Sequence, residues 1–259
     1  MRPCALIPAY DAARTVADVV RDVASVWPER GAIFVIDDGS RDGTADLARE
    51  AGARVLVHGE NRGKGAALRT GMEAAHAAGF DVAITIDADG QHPAKEAVRL
   101  IEADPDPRAL VLGIRDLERD GAPRASQMSN RISNYFLSLF SRRDLADTQC
   151  GLRRYPLPLA IDLGGRDPGY AFEAEIILRS IAAGARLVEI PVRVFYPPPT
   201  ERITHFHSVR DPARIIVRVL KTLALTAGLS RSPERRRAPA PPPPSRPRSA
   251  PPPSPGIAP

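Results

Sequence analysis

Cysteine is nearly absent from this 259-residue sequence: the two that occur, Cys4 and Cys150, lie far apart and form no metal-type or redox-type spacing. That excludes a disulfide-stapled scaffold and fits free thiols in a reducing compartment. No window reaches the roughly 18 to 20 uncharged apolar residues of a membrane-spanning helix. The N-terminus offers one arginine and a short apolar stretch broken by Pro3 and Pro8, which is not the apolar region of an export signal. A cytoplasmic protein is expected, one that visits a membrane only at its surface. The body of the chain also lacks excess charge. The net charge of +5 resides in residues 231–259, with six arginines and one glutamate, and the preceding residues carry equal numbers of acids and bases. Without a basic surface to release counterions, nucleic acid is discounted as a partner.

What is present is an ordinary globular composition, 43% apolar and 26% charged, on a chain long enough for one large domain or two small ones. Short β-branched runs alternate with stretches of three-to-four-residue periodicity, the pattern of strands and helices around a parallel sheet. Strands are expected over Cys4 to Pro8, Ala32 to Asp37, Arg54 to His58, Val82 to Asp87, Ala109 to Gly113 and Arg186 to Phe195. Val16, Val19, Val20, Val23 and Trp27 recur at helical spacing, as the core face of an amphipathic helix. Further helices are expected over Thr44 to Glu50, Gly65 to Ala78, Pro93 to Ala103, Gln127 to Phe140, Ala171 to Ala183 and Pro212 to Leu225. The last 29 residues hold 12 prolines and little apolar bulk. They cannot offset the entropy of ordering, so the reading is a folded domain over 1–230 and a disordered proline- and arginine-rich tail over 231–259.

Open parallel sheets bind ligands beyond the carboxyl ends of their strands, and three polar clusters stand there: Pro8-Ala9-Tyr10-Asp11, Asp37-Asp38-Gly39-Ser40 and Asp87-Ala88-Asp89-Gly90-Gln91. So many carboxylates at neighbouring strand ends repel one another unless cations or donors are supplied. Asp42-Gly43 reads as a turn. Asp87 and Asp89, two apart after an apolar strand, with Gln91 adding a neutral oxygen, form a candidate site for Mg²⁺ or Mn²⁺ completed by substrate phosphates. Asn61-Arg62-Gly63-Lys64-Gly65 lacks the spacing of a P-loop. Two readings remain for it, a glycine-rich helix start or a phosphate-proximal loop at a helix N-terminus.

Taken together and in order, these segments resemble glycosyltransferase family 2, and within it the dolichyl-phosphate mannosyltransferase-like group that acts on polyprenyl phosphates. The resemblance extends through Gly113-Ile114-Arg115, Asp147 to Arg153 and Gly169 to Glu175, covering about residues 3 to 215. It implies a GT-A fold, a Rossmann-like, mostly parallel sheet flanked by helices in the α/β class. It also implies transfer of a hexose from a nucleotide-diphosphate donor, UDP-glucose or GDP-mannose in type, with inversion. By similarity Pro8, Ala9, Tyr10, Asp37 and Asp38 line the base and ribose, with Ala88 and Lys64 also near the donor. Asp87, Asp89 and Gln91 hold the divalent ion that neutralises the departing diphosphate. Arg115 and Arg131 match the group's phosphate-binding arginines, whose guanidinium fork suits phosphate oxygens. Asp147 is the candidate general base or acceptor-orienting group, the alternative being a salt bridge to Arg153. An anionic lipid-phosphate acceptor needs little base assistance, which favours orientation. Glu173 and Glu175, two apart on a helix, are expected on different faces, one toward the site and one toward solvent.

The chain departs from the pattern in places. Asp11-Ala12 stand where relatives commonly carry Asn-Glu. Where the mannosyltransferases have a donor-contacting lysine, this sequence has Arg202, Thr204, His205, Phe206, His207 and Arg210, and His205 or His207 is expected to face the donor. The helix over Pro212 to Leu225 is amphipathic and basic, read as packing on the body or resting on an anionic membrane. Two rivals stand beside the transferase reading: a nucleotidyltransferase, and an inactive transferase-like body that works through its tail.

Overall fold

The computed structural model describes residues 1–27, 29 and 31–196. The expected helix over 212–225, the tail over 231–259, and both His205 and His207 lie outside the described residues. Within them the elements run β1 (Pro3–Ala9), α1 (Val16–Val26), β2 (Ile33–Asp37), α2 (Thr44–Glu50), β3 (Arg54–Val57), α3 (Lys64–Ala77), β4 (Val82–Thr85), α4 (Ala94–Glu102), β5 (Leu110–Arg115), α5 (Arg124–Ser141), β6 (Arg153–Pro156), α6 (Leu157–Leu163), α7 (Ala171–Ala182) and β7 (Leu187–Val192).

The strands form one seven-stranded sheet in the order β3-β2-β1-β4-β6-β5-β7. β1 pairs in parallel with both β2 and β4, and β5 with β7, while β6 runs antiparallel to β4 and β5. From β1 the chain winds outward through β2 and β3, then crosses back to lay β4 on the other side of β1. This reversal opens a crevice at the carboxyl ends of β1 and β4, where α/β sheets bind ligands. Strands β1, β2 and β4 are nearly continuous runs of buried apolar residues, as a sheet covered on both faces requires. The α1 valines Val16, Val19, Val20 and Val23 are all buried against it.

Several elements depart from the sequence expectation. β6 and α6 fall where no element was expected. β6 opens on Arg153 and Arg154, of a residue type that is mostly exposed, yet they are 1% and 0% exposed. Arg154 is tolerated inside because its guanidinium donates to the carbonyls of Ile101, Asp104 and Asp106, tying β6 to the end of α4. In addition, β4 ends at Thr85 rather than Asp87, so the acidic residues occupy the loop beyond the strand.

Candidate active site

Four loops meet at the carboxyl rim. Ala9 and Asp37 end β1 and β2 in register with each other, Asp87 to Gln91 follow β4, and Arg115 closes β5. Because β6 is antiparallel, its entrance lies at this same rim: Arg153 pairs with Thr85 at the end of β4. The unforeseen strand is therefore what delivers the Asp147–Leu152 segment to the site.

Of the two readings for the glycine-rich segment, the helix start is what the structure shows. It starts α3, and it carries Lys64 into the carboxylate cluster, with Nζ 2.7 Å from Asp87 Oδ1 and 3.3 Å from Glu173 Oε2. Burial alone would lower the Lys64 pKa, but Asp87 and Glu173 outweigh it and hold the ammonium well above its ordinary range. The segment is fixed from below by Asp38, whose carboxylate accepts from the backbone N–H of Arg62 at 3.0 Å and of Gly63 at 2.7 Å. Asp38 in turn meets His58 Nδ1 at 2.6 Å, and His58 Nε2 meets Thr70 Oγ1 at 3.0 Å. Gly63 sits at φ +92° and would place a Cβ 2.4 Å from the Pro168 carbonyl, so only glycine passes there. His58 had no signal in the sequence beyond its place at the end of β3.

Asp87 is cradled as closely. A Cβ at Gly151 would lie 2.1 Å from Asp87 Oδ2, so the residue after Cys150 leaves the space that the carboxylate fills. Burial pushes the Asp87 carboxyl up, and Lys64 more than reverses this, leaving it below the ordinary range. Asp89 differs. Burial first, then the charge of Asp87, pushes its carboxyl up to about 6, while the backbone N–H of Gln91, 3.0 Å from Oδ1, works the other way. Two neighbouring carboxylates, only one of them paired with a lysine, supply hard oxygens and surplus negative charge, a donor set that fits Mg²⁺ or Mn²⁺. Among the described residues no trio of His, Cys, Asp or Glu is placed to hold a metal alone. Asp87, Asp89 and Gln91 are the residues at this rim that could hold such an ion.

Asp147 is 1% exposed. Its Oδ2 accepts from Arg115 Nε at 2.7 Å and from the Arg115 backbone, and its Oδ1 from Arg115 Nη2 at 3.0 Å and the N–H groups of Gln149 and Cys150. Burial raises this carboxyl, and the charge and hydrogen bonds of Arg115 overcome that and hold it below the usual range. The salt bridge to Arg153 weighed as an alternative does not form. Arg153 instead donates to the carbonyls of Cys150, Thr148 and Glu173. The remaining Arg115 nitrogen donates to the Tyr196 hydroxyl at 3.3 Å, and the Phe195 N–H donates to the Gln91 carbonyl, so the segment after β7 passes over the rim.

Other expected residues are placed as follows. Pro8 and Ala9 end β1 at the rim and Tyr10 follows in the loop, and Ala88 is buried, its carbonyl accepting from Thr15. Asp37 is buried and accepts from the Ser40 N–H. Asp11, at φ +45°, links the first two loops by accepting from the Arg41 N–H. Arg131 lies on the exposed face of α5 in an ion pair with Glu118. Both Glu173 and Glu175 are buried, which corrects the expectation that one meets solvent: Glu173 faces Lys64, and Glu175 accepts from Arg179 and two backbone N–H groups. His92, which no sequence argument singled out alone, packs beside Cys150 with Nε2 3.6 Å from Sγ. Burial lowers its pKa to about 4.

A protein-family model described as Glycosyl transferase family 2 matches residues 4–157. The chain belongs to that family. This glycosyltransferase is 29% identical over 222 residues to Glycosyltransferase AglJ of Haloferax volcanii, covering 84% of this chain and 71% of that one. It is 30% identical to the polyprenol monophosphomannose synthase of Mycolicibacterium smegmatis, covering 74% and 76%, and 29% identical to the undecaprenyl-phosphate mannosyltransferase of Micrococcus luteus, covering 74% and 83%. Among solved structures, glucosyl-3-phosphoglycerate synthase from Mycobacterium tuberculosis, in complex with Mn²⁺, uridine diphosphate and glucosyl-3-phosphoglycerate, superposes with TM-score 0.64 at 20% identity, covering 88% and 80%. Mannosyl-3-phosphoglycerate synthase from Rubrobacter xylanophilus does so with TM-score 0.64 at 22% identity, covering 93% and 79%. The glycosyltransferase has the GT-A fold of these neighbours. The nucleotidyltransferase alternative falls with the family assignment.

Proposed function

We propose that this glycosyltransferase moves a hexose from a UDP- or GDP-linked donor onto polyprenyl phosphate, with inversion and with Mg²⁺ or Mn²⁺ at Asp87, Asp89 and Gln91. The observation that carries the reading is the meeting of this carboxylate pair with Lys64 and with the Asp147-anchored Arg115 on one sheet rim. Relatives named for transfer to polyprenyl or undecaprenyl phosphate support the acceptor class, and a structural neighbour named with Mn²⁺ and uridine diphosphate supports the donor and metal.

The acceptor's phosphate oxygen attacks the anomeric carbon, a new C–O bond forms, and the bond to the β-phosphate breaks on the opposite face. The nucleoside diphosphate leaves with the electron pair. A bound divalent ion would neutralise the charge that grows on the leaving group. Lys64 fixes the Asp87 carboxylate in place. Arg115, clamped by Asp147, presents a fixed guanidinium to phosphate at the rim, a preorganised charge that needs no reorganisation during reaction. The acceptor is already an anion, so no proton need be removed, and Asp147 serves to orient Arg115 rather than as a base.

Pro8, Ala9 and Tyr10 border the base and ribose in this reading, and Asp38 acts by shaping the Arg62–Lys64 backbone. Residues 1–230 form the transferase domain and 231–259 a tail outside it. The enzyme works in the cytoplasm with peripheral access to the membrane. No helix among the described residues is long and apolar enough to cross a bilayer. The test is to incubate the enzyme with radiolabelled UDP- and GDP-hexoses, undecaprenyl phosphate and Mn²⁺. Label extracted into organic solvent as an acid-labile sugar phospholipid supports the reading, and label confined to water-soluble product overturns it.

A further inference from the structure

The turn after β2 and the turn after β3 pack backbone against backbone. Gly39 sits at φ +79°, and a Cβ there would lie 2.5 Å from the Glu60 carbonyl carbon and 2.7 Å from the Asn61 nitrogen. The His58 N–H donates to the Asp37 carbonyl at 2.8 Å, which closes the same junction from the strand side. The side chains of His58 and Asp38 are buried there, 7% and 3% exposed.

Both Asp38 oxygens are engaged within the fold. Oδ1 meets His58 Nδ1 at 2.6 Å and accepts from the Arg62 N–H, and Oδ2 accepts from the Gly63 N–H at 2.7 Å. The carboxylate accepts, so Nδ1 is the donor. The Thr70 hydroxyl on α3 meets Nε2 at 3.0 Å, and the ring is held at both nitrogens. Asp38 thereby occupies the start of α3, where the helix dipole favours a carboxylate. The anion that this helix start could have taken is supplied from within the chain. What remains to face a ligand is the next side chain, Lys64, with its ammonium 2.7 Å from Asp87 Oδ1.

The contacts run in series from Thr70 through His58 and Asp38 to the Arg62 and Gly63 backbone, and from there along the chain to Lys64. On its other side the segment is held by the Ala66 N–H, which donates to the Pro168 carbonyl at 3.1 Å. We infer that His58 is a positioning residue of this transferase: by holding Asp38 through Nδ1 it fixes the Arg62–Gly63 backbone, and hence Lys64, in the cluster where the donor diphosphate is proposed to bind. The inference rests on the donor-site reading of this rim. It separates the two ring nitrogens, since Nδ1 serves the donor site and Nε2 serves the contact of β3 with α3.

Two replacements tell these nitrogens apart. An asparagine amide reaches where Nδ1 stands and a glutamine amide where Nε2 stands, so His58→Asn keeps the bond to Asp38 and His58→Gln keeps the bond to Thr70. Isothermal titration of the full chain with UDP and with GDP, in the presence of Mn²⁺, reads donor affinity apart from turnover. It is made on variants with a native circular dichroism spectrum. His58→Gln should weaken binding of the nucleotide that wild type takes by about tenfold, the effect of one hydrogen bond to a charged group. His58→Asn should stay within about twofold of wild type. In a Lys64→Met background His58→Gln should cost little further, because the group it positions is gone. Equal affinity of the two His58 variants overturns the inference and leaves the donor site standing, and so does a His58→Gln loss that persists in full without Lys64. A wild type that binds neither UDP nor GDP overturns the donor-site reading and this inference with it.

Discussion

Lys64 and Asp87 meet across the site, the ammonium at the start of α3 lying 2.7 Å from the carboxylate that follows β4. Glu173 of α7 lies on the other side of the same ammonium at 3.3 Å. One lysine thus joins the glycine-rich segment, the acidic loop and the last described helix.

Replacing Lys64 by methionine leaves two carboxylates facing each other with little solvent. Removing one member of a buried pair costs about 3–5 kcal/mol, and the 15% exposure of Lys64 puts the expected loss near the lower end. Urea unfolding should show it. Adding Glu173→Gln to the variant should restore part of the loss, because one stranded charge is removed. A double variant no more stable than the single would contradict the arrangement.

Asp147 and Arg115 give a pH dependence of definite sign. The native Asp147 carboxyl is held below its ordinary range by Arg115, so it contributes stability at pH values above its unfolded pKa of about 3.9. That contribution disappears as pH falls through the lower, native value. Asp147→Asn should therefore melt well below wild type at pH 7, and the gap should close in acid. A gap of constant size from pH 7 to pH 3 would mean that the pair does not hold in solution.

Gly151→Ala acts on Asp87 through space. Its Cβ would stand 2.1 Å from Asp87 Oδ2, so the carboxylate must move. A displacement of about 1 Å at a reacting centre lowers rate about 100-fold. The expected outcome is a loss of that order in kcat/KM with a native circular dichroism spectrum, and full activity would show that Asp87 is not held where the structure places it.

Both cysteines are fully buried, and burial pushes each thiol up to about 12. Thiolate is the reactive form. The native enzyme should show no reaction with Ellman's reagent at pH 8, and two thiols should titrate after unfolding in urea. Rapid labelling of a native thiol would refute the burial of Cys4 or Cys150.

Much of this site was legible because its residues follow strands whose apolar runs announce themselves. Val82 to Ile86 predicts a strand, and the acids after it must then lie at the rim. The Thr44–Glu50 helix and the valine face of α1 were equally plain. β6 was not, since Arg153 and Arg154 are of a residue type that is mostly exposed and become core only by donating to carbonyls from distant segments. Missing β6 hid the reason Asp147 reaches the rim and left Arg153 as its apparent partner. His58 was invisible for a similar reason: its meaning comes from Asp38, 20 residues earlier, and no local period connects them. Helix geometry alone put one of Glu173 and Glu175 in solvent, whereas Lys64 pairs with the first, and Arg179 and two backbone N–H groups satisfy the second inside.

The Asp87 and Asp89 rim is proposed to bind a nucleoside diphosphate together with a divalent ion. The direct measurement is the melting temperature of wild type and Asp89→Asn with UDP or GDP, each with and without Mn²⁺. Ligand at about a hundred times its dissociation constant adds about 2.7 kcal/mol, and each kcal/mol moves a body of this size by about 2–4 °C. A rise of several degrees with one nucleotide is expected, dependent on Mn²⁺ and lost in Asp89→Asn. An equal rise in the variant would contradict the metal assignment, and no rise with any nucleotide in folded wild type would return the case to an inactive transferase-like scaffold.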